Sequence, residues 1–92
     1  MDFEWDEVKN AINRVKHSIA FADACKVFFD PMALTREDTR AAYGEARYQI
    51  IGMASFGVLF VVYTERAEDT IRIISARKAE KHERRAYESG GF

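Results

Sequence analysis

Three runs rich in β-branched and aromatic residues follow one another in the second half of the chain: Arg47–Met53, Val58–Glu65 and Thr70–Ala76. Short polar turns, around Ser55–Gly57 and at Arg66–Asp69, separate them. Connections this short leave no room for the crossover helix that parallel neighbours need, so the runs predict an antiparallel meander. The remaining residues must then cover that sheet.

Two helices are expected before it. Phe3-Glu4-Trp5 alternates like a short strand, and Asp6 is placed to cap a helix over residues 7 to about 17. Val8, Ile12, Val15 and Ile19 recur at helical spacing, with Lys9, Asn13, Arg14 and Lys16 largely off that stripe. Lys16 and His17 suit the negative end of the helix dipole. A second helix is expected over Phe21–Phe28, with Phe21, Ala24, Cys25 and Phe28 on one side, ended by Asp30-Pro31. Cys25 then reads as a small core residue. Residues 35–46 are the most polar stretch and read as a loop, with or without one helical turn. After the meander, Lys78–Tyr87 reads as a charged helix with Ala79, His82, Arg85 and Ala86 on one side.

The order β-α-α-β-β-β-α predicts an α+β fold: an antiparallel sheet with two N-terminal helices on one face and one C-terminal helix beside it. The 92 residues form one domain, with 89–92 expected as a flexible tail. One cysteine excludes an internal disulfide and a cysteine-based zinc site. The opening residues lack the basic-then-apolar pattern of a secretory leader, and no apolar run is long enough to span a bilayer. The expectation is a soluble, cytoplasmic protein without a membrane partner.

Charge narrows the function. The net charge is −1, which argues against a general nucleic-acid coat. Residues 1–45 carry 6 Lys/Arg against 9 Asp/Glu, and residues 46–92 carry 8 against 6, so an anionic ligand belongs with the second half. The strand at Thr70–Arg77, with Arg72 inside it, runs straight into the basic helix, which suggests anion binding; the plainer reading is a solvated helix beside an edge-strand arginine. Metal-ligand spacing, a glycine-rich phosphate loop and a serine-nucleophile context are all missing. Lys16, His17, Arg47, Arg66, Arg72 and Arg77 remain. Such groups suit metal-free RNA cleavage, in which one side chain takes the ribose 2′-hydroxyl proton, cations hold the phosphate, and an acid protonates the leaving oxygen. The plainer readings are a helix-end residue for His17 and a Glu45 ion pair for Arg47.

An ordered set of motifs goes further. Phe3-Glu4-Trp5-Asp6, Lys9, Asn13, Lys16-His17, Phe21, Ala24, Phe28 and Asp30-Pro31 are followed by Gly44-Glu45, Arg47-Tyr48 and Ile51-Gly52. Thr64-Glu65-Arg66, Arg72 through Arg77, Glu83-Arg84 and Tyr87-Glu88 complete it. In this the chain resembles the BrnT family, toxins of bacterial type II toxin–antitoxin pairs. The resemblance implies a RelE-like fold, metal-independent ribonuclease activity that arrests growth, and no cofactor. It also implies neutralisation by BrnA, a ribbon-helix-helix antitoxin, as two toxins with two antitoxins that touch DNA only through the antitoxin. Catalytic roles would fall to Lys16, His17, Glu45, Arg47 and Arg72, with His17 or Glu45 as base, and RNA phosphate contacts to Arg66, Arg77 and Lys78. The alternative is an inactive binding module that serves only as a co-repressor. The chain departs from the family pattern at Ser18, usually glycine, at Ala20, usually serine or threonine, and at Ala46, where a second arginine is common.

Overall fold

The computed structural model describes residues 1–92. Its elements are β1 (Asp2–Glu4), α1 (Glu7–His17), α2 (Phe21–Ala24, continued by a 3₁₀ turn over Cys25–Phe29), β2 (Leu34–Glu37), β3 (Tyr48–Ala54), β4 (Gly57–Ala67), β5 (Thr70–Lys78) and α3 (Lys81–Ser89). The fold is α+β, with three helices and one five-stranded sheet in the order β1-β5-β4-β3-β2. No helix is long and apolar enough to cross a membrane.

The meander over β3, β4 and β5 is antiparallel as expected, with Ile50 opposite Val61 and Val61 opposite Ala76. Two features of the sheet differ from expectation. β1 runs parallel to β5, pairing Phe3 with Ile71, so the sheet is mixed rather than antiparallel. The stretch read as a loop from residue 35 begins with a strand: Leu34–Glu37 pairs antiparallel with Tyr48–Ile51. The order is therefore β-α-α-β-β-β-β-α. Charged Arg36 and Glu37 concealed β2, and charge is what a strand at the sheet's edge carries.

The sheet's two faces differ. One, with Ile50, Leu59, Val61, Tyr63, Ile71, Ile73 and Ala76, packs on Ile19 and on Phe21, Ala24 and Val27 of the α2 region. Gly52 is required there, because a Cβ would stand 2.9 Å from the Val27 Cβ and 3.0 Å from the Val27 carbonyl oxygen. The other face holds a smaller cluster of Ile51, Phe60 and Val62, flanked by Val58, Ile74 and Tyr87. This open face also carries polar and cationic side chains.

The helices follow local rules at their ends more than along their sides. Asp6 caps α1, accepting from the amides of Val8 (2.8 Å) and Lys9 (3.3 Å). Ser18 ends α1 in the left-handed region (φ 60°), a conformation glycine adopts without steric cost. Ala20 offers no cap to α2; instead the Asn10 side chain accepts from the Phe21 amide at 2.9 Å. α3 starts at Lys81 rather than Lys78, because Glu80 and Glu83 form a reciprocal capping box. Its inner side carries buried Glu83 with half-buried Ala86 and Tyr87, while His82 and Arg85 are exposed.

The largest departure lies in α1. The apolar stripe of such a helix ordinarily faces the core. Here Val8, Ile12 and Val15 are 68%, 59% and 89% exposed, and Asn13 is buried.

Candidate functional site

Asn13 explains how α1 is placed. β1 covers β5 only at Thr70–Arg72, so the later half of β5 has an unpaired edge. Asn13 acts there as a surrogate strand. Its Oδ1 accepts from the Ala76 amide (3.1 Å), and its Nδ2 donates to the Ala76 carbonyl (2.8 Å) and to the Ile19 carbonyl (2.8 Å). A side-chain amide matches a peptide group's donor and acceptor, so the edge is satisfied without another strand. Docked this way, α1 forms a shallow concavity in which Lys9, Lys16 and His17 face Ile74 and Ser75 of β5.

The open face continues from that edge. Ser75 stands opposite Val62, Arg77 opposite Phe60 and Arg72 opposite Thr64. The Arg77 guanidinium carbon lies 4.2 Å from the centre of the Phe60 ring, and that of Arg40 lies 5.9 Å from it. Arg77 forks onto Glu83 at 2.8 and 2.9 Å. Burial opposes the charge on Glu83, but Arg77 and the Glu80 amide overcome it and hold the carboxyl below its ordinary pKa. Arg40 forks in the same way onto buried Asp38 at 2.8 and 2.7 Å, which brings the Asp38 pKa down to about 2. Both arginines are thus fixed in position and largely neutralised.

His17 is different. Partial burial lowers its pKa, and the nearby charges of Lys16 and Arg77 lower it further. The imidazole is therefore neutral at neutral pH, beside a cluster of cations. A neutral imidazole there has a free lone pair and can accept a proton.

The residues singled out in the sequence fall into three groups. Lys16 and His17 line the concavity at the β5 edge, and Arg77, two residues beyond Ser75 on β5, is near enough for its charge to act on His17. Arg72 lies farther along the same face of β5, bound to Glu4 at 2.7 Å, and Arg66 approaches the same carboxylate at 3.7 Å. Glu45 and Arg47 belong to the β2–β3 connection, where they pair at 3.3 Å with the guanidinium over the Tyr43 ring (4.1 Å). That connection is tied to the sheet by Thr64, whose hydroxyl donates to the Ala46 carbonyl at 2.6 Å. Since Thr64 is in register with Arg72, the second and third groups are neighbours. Lys78 is exposed at the end of β5, without an ion pair. Cys25, expected in the core, is half-buried, and burial raises its thiol pKa to about 11.

Lys9, Ser75 and Arg40 join the site unforeseen. Lys9 and Ser75 belong to the shared motif, but only the docking of α1 on β5 brings them together. Arg40 lies in the stretch read as a loop; its one local signal is Asp38 two residues earlier, whose carboxylate accepts from the Arg40 amide at 3.2 Å. Glu80, His82 and Glu83 also cluster at the start of α3. There Glu83 is committed to Arg77 and to the Glu80 amide.

A neutral histidine among cations on a small α+β frame is the equipment of a phosphate-handling protein, and comparison with known proteins specifies the class. Residues 5–83 match the family described as the ribonuclease toxin, BrnT, of type II toxin–antitoxin systems. The chain belongs to the BrnT family. The fold agrees: the crystal structure of the Brucella abortus ribonuclease toxin BrnT superposes with a TM-score of 0.66 at 25% sequence identity, covering 88% of this chain and 99% of that one. No curated protein is similar enough in sequence to be matched with it.

Proposed function

We propose that the free protein is a metal-independent, RelE-like endoribonuclease whose chemistry centres on the junction of α1 and β5. His17 carries the reading: it is kept neutral beside Lys16 and Arg77. His17 takes the proton from a ribose 2′-hydroxyl, and the 2′-oxygen attacks the adjacent phosphorus. The bond from phosphorus to the 5′-oxygen breaks, leaving a 2′,3′-cyclic phosphate. The leaving oxygen takes a proton from the Lys16 ammonium or from water. Arg77 and Lys9 stabilise charge on the phosphoryl oxygens, while Arg72, Arg66, Arg47 and Lys78 hold the flanking backbone. Glu45 is the weaker candidate base, since it is paired with Arg47 and belongs to a different group from Lys16 and His17.

A type II family implies a protein antitoxin. We assign that role to a BrnA-type ribbon-helix-helix protein, in an assembly of two toxins with two antitoxins that reaches DNA through the antitoxin, in the cytoplasm. One observation favours the rival reading of an inactive co-repressor. Arg72 and Arg77 are already matched by Glu4 and Glu83, which reduces the positive charge offered to RNA.

Cleavage of purified bulk RNA in excess chelator separates the two readings. The wild type should cleave, while His17→Ala, shown folded by circular dichroism, should be slower by roughly 100-fold or more, as expected for loss of general-base catalysis, and Arg72→Ala, likewise folded, should be slower through loss of a phosphate contact. The rate should rise as His17 loses its proton and level off by neutral pH, because the folded pKa lies below the ordinary histidine value. A folded wild type that leaves RNA intact, in buffer and in translating extracts alike, supports the co-repressor.

A further inference from the structure

The outward stripe on α1 lies outside the core. Val8, Ile12 and Val15 are exposed, while the core is served by Asn13 and Asn10 on the opposite side. Helical geometry puts Ala11 within this stripe, with Lys9 and Lys16 along one margin and Arg14 along the other. Beyond Arg14 the surface continues to the exposed ring of Phe56 in the β3–β4 turn. From residue 8 to residue 22 there is no acidic side chain. Glu7 lies at the start of the helix, and Asp23 lines the groove toward Phe56. An apolar strip with cations on both margins is the complement of an amphipathic segment with apolar and acidic faces. The strip also adjoins the site, because Ile12 and Lys16 border the stripe and the His17 concavity together.

We infer that α1 is the docking surface for the antitoxin, which lays an amphipathic, acid-flanked segment along Val8, Ile12 and Val15 and so covers Lys16 and His17. This rests on the proposed antitoxin partnership and adds where the antitoxin binds and why binding silences the site: one helix presents both. The segment's acids meet Lys9, Lys16 and Arg14, replacing RNA phosphates as partners of the first two.

The test uses the full chain and a BrnA-type ribbon-helix-helix antitoxin, by calorimetry and by size-exclusion chromatography with light scattering. Val15→Glu and Ile12→Glu place a carboxylate in the strip at solvent-exposed positions, so both should fold as the wild type does. They should bind the antitoxin on the order of 100-fold more weakly, as burying an unpaired charge at an interface centre does. RNA cleavage by Val15→Glu should equal that of the wild type and should persist when antitoxin is added. Arg14→Glu should weaken binding by about tenfold, with a reduced salt dependence. Wild-type affinity in Val15→Glu and Ile12→Glu would overturn the docking surface while leaving the antitoxin partnership intact. A wild type that ignores the antitoxin would remove both. A self-associated wild type that Val15→Glu splits, with antitoxin binding unchanged, would give the strip to a second copy of this chain and overturn the inference.

Discussion

Two consecutive helices solve opposite packing problems. α2 and its 3₁₀ turn bury an apolar side against the sheet: Phe21 and Ala24 as the helical pattern predicts, then Val27 rather than Cys25 and Phe28, because the 3₁₀ continuation spaces buried residues by three. α1 is longer and equally periodic, yet it buries an asparagine and exposes three aliphatic residues. What differs is what each helix faces. α2 covers a sheet face, where apolar surface must be removed from water. α1 covers a strand edge, where a buried peptide N–H and C=O must be paired. A helix assigned to an edge needs a polar inner side, and its apolar residues are freed for other uses.

The most direct break in this comparison is Phe21→Ala. It empties a fully buried aromatic site under α2 and should cost about 3–5 kcal/mol in urea unfolding. Asn13→Ala comes next. It strands the Ala76 amide and carbonyl and the Ile19 carbonyl, and should cost roughly 2–4 kcal/mol at about 1–3 for a stranded group. Faster hydrogen exchange at Ala76 would show the edge opening. Asn13→Leu should be no better, although it suits a conventional inner stripe. The third test extends the comparison to the β2–β3 connection, where Asp38 is another buried polar group, and one that titrates. Its folded pKa is depressed to about 2, so its stabilisation is complete above its unfolded value of about 3.9 and is lost as pH falls from about 4 through 2. Acid unfolding of Asp38→Asn should lose that component, of order 1–2 kcal/mol. The smallest effect belongs to Val15→Ser, which should change stability by about 0.5 kcal/mol or less, as exposed positions do. A larger loss would mean that the outer stripe of α1 does contribute to the fold.

The same contrast explains what could be read in the sequence. The meander, the Asp6 cap, the extent of α1 and the burial of Phe21 and Ala24 follow from local signals: β-branched runs, a capping carboxylate and helical spacing. The orientation of α1 does not, because periodicity finds a stripe without saying which way it faces. It depends on an unpaired edge of β5, 63 residues away at Ala76. β2 was hidden because an edge strand carries charge, which resembles a loop. The start of α3 is set by the capping box of Glu80 and Glu83, not by the charged run that begins at Lys78. At the site, residue types and the family resemblance led to Lys16, His17 and Arg77, but Ser75, Lys9 and Arg40 belong with them only through tertiary packing. Arg72 and Arg77 look like free cations in the sequence; Glu4 and Glu83, their partners, are recognisable only in the fold.

The most direct test of the central claim is the chemistry of the RNA ends. Phosphorus NMR or mass spectrometry of a short RNA cleaved by the purified protein in excess chelator would identify them. The account predicts a 2′,3′-cyclic phosphate and a 5′-hydroxyl, formed by the wild type and not by His17→Ala. Ends carrying a 5′-phosphate and a 3′-hydroxyl, or cleavage abolished by the chelator, would contradict it.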